Sequence, residues 1–446
     1  MILRGDSMKQ KQDLDVSLMD MVMCLSDAMD LISSTVNGHH QRVAYIAGKL
    51  AEELKIPKRK REHLILASAL HDVGALSLQE RLDTLNFELD VSDSLGLSKH
   101  AILGYQLIDE FEPFVEIAPL VLYHHVDWEK GAGSEFRGEQ IPWESHILHL
   151  ADRIDVLIKS EAGILGQVDR ICAKIVEEAG NKFVPEIVEA FTGLAQKESF
   201  WFDITSPARI QLITNEFSRD KICLGLDGLY NLGKLFSQII DFRSRFTAAH
   251  SSGVAASAEA LANFIGMSEH KARKLKVAGY LHDLGKLAVP TEILEKPDKL
   301  TEAEFNIIKK HTYYTYHTLK RVKGLDEINI WASLHHERLD GEGYPFHYQQ
   351  EELPLGSRIM AVADVFSAIT EDRPYRRGME KKKVLNILEN MVQDGALDED
   401  IVLTLNDNYE AIYCLRKYAQ EQETSEYKSF LQDSLADNSQ RKAEAK

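Results

Sequence analysis

Seven residues of metal-ligating type occur twice in this chain at almost constant spacing. His39, His71, Asp72, His100, His124 and His125 are followed 211 positions later by His250, His282, Asp283, His311, His335 and His336, and Asp152 is followed 212 positions later by Asp364. Histidine makes up only 17 of 446 residues, so six matches in register mark two copies of one metal-binding unit. In the second copy, adjacent His282 and Asp283 at a helix end can aim at one cation, with His250 from an earlier helix and Asp364 from a later one. His311, His335 and His336 supply three imidazoles for a second cation if Asp283 bridges both through its two oxygens. Two neighbouring divalent ions can share a hydroxide, making a nucleophile at neutral pH, and can clamp a phosphate oxygen. Lys286, one helical turn after the pair, is placed to neutralise charge growing on a phosphoryl group. A lone histidine is more often an ordinary core or surface residue; the joint spacing in two copies carries the metal reading.

The elements that must position these residues read as helical nearly throughout. Leu18, Met21, Leu25 and Met29 form a helical stripe, and Leu229, Leu232, Phe236 and Ile240 repeat it 211 positions on. Thr301 and Glu304 form a capping box before the helix that carries Phe305, Ile308 and His311. Ser357 begins a stripe of Ile359, Val362, Phe366 and Ile369, with Asp364 inside it. Arg209–Thr214 is the one short piece with β alternation. The expected architecture is all-α, two helical domains in tandem: an N-terminal tail 1–16, a first domain 17–205, a linker 206–227 broken by Pro207 and Gly225, a second domain 228–420, and a polar C-terminal tail 421–446.

Composition narrows the function. The hydrophobic share of 44% and charged share of 27% are those of a water-soluble globular protein. No signal peptide or membrane-spanning run is evident, and the four cysteines form no CxxC pair, so a reducing cytoplasm is the expected home. A net charge of −18 argues against binding a nucleic-acid polymer, yet leaves room for a small anionic substrate in a cleft holding metal ions.

The run His335-His336-Glu337-Arg338-Leu339-Asp340-Gly341-Glu342-Gly343-Tyr344-Pro345, after His282-Asp283-Leu284-Gly285-Lys286, resembles the HD-GYP family, a subgroup of the HD metal-dependent phosphohydrolases. The resemblance covers about residues 229–377 and includes Arg373-Pro374-Tyr375-Arg376, similar to the family's RPYR segment. It implies two tandem HD-type all-α domains, a binuclear or trinuclear centre of iron or manganese, and hydrolysis of cyclic dinucleotides, above all cyclic di-GMP, with cyclic GMP-AMP preferred by some members. Imidazole-and-carboxylate sites also accept nickel or zinc. Carried over residue by residue, the metal ligands are His250, His282, Asp283, His311, His335, His336 and Asp364. Asp283 and Lys286 are the catalytic candidates, and Lys286, Arg338, Tyr344, Arg373 and Arg376 the substrate contacts. Members with a third metal carry a Glu where this chain has Phe246, which implies two metals here and a product that stops at the linear dinucleotide. Ser367 and Gly253 stand where the family has Asp and Arg, putting orientation and rate in question more than metal binding. The Asp340–Gly343 run reads as a turn with left-handed positions, and Tyr344-Pro345 fixes its exit.

The first copy keeps the full candidate set, His39, His71, Asp72, His100, His124, His125 and Asp152, together with Arg42 and Asp155. It lacks the parts that would handle phosphate. Ala75 replaces Lys286, Val126–Ser134 replaces the GYP loop, and Glu161–Ile164 replaces the RPYR segment. A degenerate regulatory or structural domain still holding metal is the reading Ala75 favours, against a second catalytic site with another substrate. Two other functional classes stay open at this point: a cyclic-dinucleotide receptor acting without catalysis, and a di-iron oxygenase of the HD superfamily. A protein partner at the GYP loop and self-association are left open as well.

Overall fold

A computed structural model describes residues 14–31, 37–75, 97–159, 163–217, 222–242, 249–296, 298–372 and 377–444. The first half runs through α1 (Leu18–Asp30), α2 (His39–Glu53), α3 (Lys58–Leu70), α4 (Lys99–Ile108), α5 (Ala118–Leu122) and α6 (Trp143–Val156), then α7 (Val168–Glu177), α8 (Pro185–Ala195), α9 (Glu198–Thr205) and α10 (Arg209–Phe217). The second half runs through α11 (Leu226–Asp241), α12 (His250–Ile265), α13 (Glu269–Leu281), α14 (Thr291–Leu294), α15 (Glu302–Leu319), α16 (Asp326–Ser333) and α17 (Leu355–Thr370), then α18 (Lys381–Gln393), α19 (Glu399–Asp407) and α20 (Tyr409–Glu444). Helices α1 to α6 recur as α11, α12, α13, α15, α16 and α17, so the repeat extends from the ligands to the scaffold. The only strands among the described residues are two short antiparallel pairs, β1 (Val16–Ser17) with β4 (Cys223–Leu224) and β2 (Glu135–Phe136) with β3 (Glu139–Gln140).

The stripe of α1 is buried along its length at Leu18, Met21, Leu25 and Met29. Each such side chain contributes roughly 1.5–3 kcal/mol by leaving water. Ser17 caps this helix by accepting from the Asp20 N–H at 3.3 Å. The expected box at α15 is present, Thr301 Oγ1 accepting from Glu304 N–H while the Glu304 carboxylate accepts from Thr301 N–H.

Helix α2 packs on α3 and α6, and α12 on α13, α17 and α20. The halves also reach across to each other: α1 lies against α15 and the turn Leu284–Ala288 of the second half, and α11 against α4 of the first. One continuous apolar core therefore runs through both halves.

Four sequence expectations change. Arg209–Thr214 is helical within α10, because Ile213 is buried and the segment packs on α2, a tertiary contact that overrides the local alternation. Helix α17 starts two residues before Ser357, after Pro354, and the Ser357 hydroxyl donates to Ile330 O at 3.1 Å. The expected linker 206–227 is largely ordered among its described residues, holding α10, β4 and the start of α11. The tails are shorter than expected. Val16 is fully buried in β1, and α20 runs on to Glu444, with the Tyr427 and Phe430 rings 4.7 and 5.4 Å from that of Phe242.

Gly285 is required for proximity rather than for a left-handed turn. A Cβ there would lie 2.0 Å from His311 O, and one at Gly74 would lie 2.2 Å from His100 O. In each half this contact sets the His-Asp turn against the next ligand-bearing helix. Gly285→Ala is therefore expected to lower stability by ~1–3 kcal/mol, the cost of overpacking, and to loosen the seat of His311. Denaturant unfolding checks the first effect; an unchanged midpoint would contradict this close contact.

Candidate metal centre

The second half brings all seven expected ligands together. His250 starts α12, His282 and Asp283 follow α13, His311 lies in α15, His335 and His336 follow α16, and Asp364 lies in α17. His250, His282 and Asp283 form one group of converging ligand atoms, and His311, His335 and His336 form another. Asp283 faces both: Oδ2 is 3.1 Å from His282 Nε2, and Oδ1 is 3.5 Å from His311 Nε2. Asp364 closes the opposite side, with Oδ1 3.1 Å from His250 Nε2 and Oδ2 3.8 Å from His336 Nδ1.

The donor chemistry fits divalent cations. The Nδ1–H groups of His282, His311 and His335 donate to the carbonyls of Gly279, Ile308 and Ala332 at 2.7, 2.6 and 2.6 Å. That tautomer leaves a lone pair on each Nε2, and His311 Nε2 and His335 Nε2 stand 3.4 Å apart. Asp283 Oδ1 is buried and has no hydrogen-bond partner among the described residues. Unprotonated nitrogens and carboxylate oxygens crowded in a buried space call for positive charge. Burial pushes the His311 imidazole down to about 3 and His335 well below its usual range, so neither supplies that charge as a proton. Asp283 stays ionised: burial opposes this, and the neighbouring His282 ring and Lys286 ammonium outweigh burial.

The centre is open on one side. The His336 side chain is 30% exposed and that of Lys286 21%, whereas the other ligands are buried. Lys286 Nζ lies 2.5 Å from Asp283 Oδ2. Above this opening the loop after His336 is pinned by Glu337, whose buried carboxylate accepts from the N–H groups of Phe346 and Tyr348 at 2.7 and 3.2 Å. Gly341 takes the expected left-handed φ of 78°; Gly343 does not, and is instead pressed against Arg338 N at 2.4 Å from its would-be Cβ. The Tyr344 ring lies 4.9 Å from that of His336 and 6.2 Å from that of Phe305, and Lys309 Nζ sits over Phe305 at 4.9 Å. Arg338 is not brought to the centre by these contacts: its guanidinium braces its own loop on Asp340 at 2.5 Å. Arg373, Arg376 and Phe246 lie outside the described residues.

The first half assembles its set just as fully. Asp72 Oδ1 is 3.3 Å from His100 Nε2 and 3.9 Å from His124 Nε2, and Asp72 Oδ2 is 3.5 Å from His71 Nε2. Asp152 Oδ1 is 3.5 Å from His39 Nε2, and His125 Nε2 is 3.1 Å from His100 Nε2. The difference lies in access. All seven are buried, and the loop after His125 is sewn down by the Trp128, Glu129 and Lys130 N–H groups donating to Lys182, Asn181 and Gly180 carbonyls. Ala75, at the lysine position, is buried too. A cation returns from elsewhere: Arg153 is buried, with Nη2 2.5 Å from Asp152 Oδ2.

Among the contributors that sequence reasoning missed are Arg153, the loop pin Glu337, and Asp241. Asp241 is buried, accepts from Ser251 N–H at 3.0 Å at the start of α12, and is pushed by burial up to about 7. It is the 211-residue counterpart of Asp30, which pairs with His40, so the repeat spacing itself could have found it.

Comparison with known proteins agrees with this geometry. Models of the HD domain match residues 36–157 and 234–401. The chain is 31% identical to 3′3′-cGAMP-specific phosphodiesterase 1 of Vibrio cholerae, over 90% of this chain and 94% of that one. It is 42% identical to a cyclic di-GMP phosphodiesterase of Pseudomonas aeruginosa over 30% of this chain and 32% of that one. The fold matches a crystal structure of a V. cholerae cyclic GMP-AMP phosphodiesterase with a TM-score of 0.62 at 23% identity, covering 89% of this chain and 98% of that one. No helix among the described residues is long and apolar enough to cross a membrane. Doubled ligand sets, a single lysine and a single GYP loop, matched to a relative along nearly its whole length, place the chain in the HD-GYP phosphodiesterases, in the form that carries two HD domains in tandem.

Proposed function

We propose that the second half opens one phosphodiester of a 3′3′-linked cyclic GMP-AMP or cyclic di-GMP, giving the linear dinucleotide, and that the first half holds metal without turning over this substrate. The observation that carries the assignment is the one-sided opening of the second centre at Lys286 and His336, under the GYP loop. Cyclic GMP-AMP ranks first because the relative aligned along almost the whole chain is named for it.

His250, His282, Asp283 and Asp364 would hold one ion, and Asp283, His311, His335 and His336 the other. Such a pair, iron or manganese with nickel or zinc as alternatives, supplies an activated water and charge neutralisation at phosphate. Lys286 meets the phosphate oxygens from the open side. Phe305 and Tyr344, packed edge to face with Lys309 over both rings, present an aromatic face next to His336 for a nucleobase to pack against. The GYP loop, fixed by Glu337, keeps that face in place.

Protein loaded anaerobically with iron(II) or manganese(II) should cleave cyclic GMP-AMP or cyclic di-GMP, read by chromatography of the products; turnover of neither with any of the four metals overturns the assignment. Lys286→Ala should lower kcat by about 10²–10³, as for loss of one fixed charge-stabilising donor. Phe305→Ala should act on KM, raising it ~5- to 100-fold for one lost stacking face, with kcat little changed. Metal analysis should return ~four ions per chain, since buried ligand sets bind metal as part of folding. Asp72→Ala should remove the first half's share and leave turnover, while Asp283→Ala abolishes turnover.

Loading should also depend on pH. Burial alone would lower His250, but the Glu371 and Asp364 carboxylates that flank it outweigh burial and hold its proton up to about 10. A cation taking Nε2 displaces that proton. Uptake should therefore release protons and strengthen as pH rises toward that value; calorimetry in buffers of different ionisation enthalpy measures the count, and proton uptake on loading would contradict it.

A further inference from the structure

The two halves hold their first histidine in different ways. In the first half, His39 Nδ1 lies 2.7 Å from Asp155 Oδ2, and Asp155 is clamped by Arg42 through Nε and Nη2. These two partners sit three residues after the last ligand and three after the first. In the second half the same positions are Ser367 and Gly253, so that pair is gone. The carboxylate has nevertheless returned from another place. Glu371, just past the end of α17, puts Oε2 3.1 Å from His250 Nδ1. It is buried, and Gln420 on α20 donates its Nε2 to the same oxygen at 3.1 Å. Arg416, also buried, donates to Gln420 Oε1 and to Thr370 O, tying α20 to the end of α17.

Gly253 is part of the exchange. A Cβ at that position would stand 2.5 Å from Gln420 Nε2 and 2.8 Å from its Cδ. An Arg like Arg42 and a Gln420 cannot both occupy this space. Ser367, buried with its hydroxyl 3.5 Å from Ser257 Oγ, leaves the Nδ1 side of His250 to Glu371.

We propose that Glu371 and Gln420 are positioning residues for the catalytic metal centre: Glu371 fixes the ring orientation and tautomer of His250, and Gln420 anchors Glu371 from the C-terminal helix. The apparent losses at Ser367 and Gly253 are a relocation of one function to new residues. A hydrogen-bonded carboxylate behind a metal-binding imidazole raises its basicity and holds its Nε2 on the cation, and removing such a partner typically costs 10- to 100-fold in metal affinity or activity. This inference rests on His250 being a metal ligand, and not on which dinucleotide is cleaved.

The test reads manganese(II) affinity directly by electron paramagnetic resonance, beside turnover at saturating metal. Glu371→Gln, which keeps size and polarity, should weaken the second half's manganese binding about 10- to 100-fold. Gln420→Ala should weaken it in the same direction by less. The deciding variant moves the carboxylate back: Ser367→Asp added to Glu371→Ala should recover at least tenfold of the lost affinity, and Gly253→Arg with Gln420→Ala should complete the first half's arrangement. Wild-type manganese affinity in Glu371→Gln overturns the proposal. So does a folded Glu371→Ala protein, judged by its thermal unfolding, whose affinity Ser367→Asp fails to raise, since a packing role for Glu371 would not be rescued by a carboxylate one helical turn earlier. If manganese binding follows the prediction while no cyclic dinucleotide is cleaved, it is the substrate assignment that falls.

Discussion

Everything in each half is arranged around a single carboxylate that faces two groups of imidazoles. Asp283 presents one oxygen toward His282 and the other toward His311, and Asp72 does the same between His71 and His100. Bringing so many unprotonated nitrogens and ionised oxygens into a buried space is unfavourable unless positive charge resides among them. The scaffold serves that demand: most ligands sit at or just past helix termini, backbone carbonyls fix the tautomers, and Gly74 and Gly285 let one ligand-bearing segment press against the next.

Given equal centres, the halves diverge at their rims. In the second, Lys286 and His336 meet solvent and Glu337 holds the loop above them. In the first, Ala75 is buried, the loop is tied to residues 180–182, and Arg153 occupies the side of Asp152 from within. A ligand set shows only that its donors suit a cation. The rim decides whether anything else can reach it, so duplicated ligands do not amount to duplicated chemistry.

Much of this was legible in the sequence, because ligand identity and helical periodicity are local properties that repeat in register. The all-α class, the seven residues of each centre and the capping box at Thr301 could all be read that way. What was not legible depends on contacts between distant segments. Ser367 and Gly253 read as departures that put orientation in question, since nothing local links them to Glu371 or Gln420. The polar stretch after Gln420 read as a tail, because a helix that buries only a thin stripe, with Glu423, Tyr427 and Phe430 along it, has little apolar periodicity. Arg153 was hidden beside a ligand already found, and Arg209–Thr214 took the form its packing on α2 required rather than its own alternation.

The crossing of α1 onto the second half, answered by α11 on the first, has a consequence for how such a chain can evolve. Reciprocal contacts, with the strands leading into the two first helices paired antiparallel, are the pattern by which two identical subunits meet around a two-fold axis. Joining them in one chain fixes their ratio at one to one and makes their association independent of concentration. Each copy is then free to drift in its chemistry but not in its surface, because α1 is the wall against which the segment bearing Lys286 rests. A first copy placed in this way cannot be discarded whatever its chemistry: it has become part of the interior of its partner.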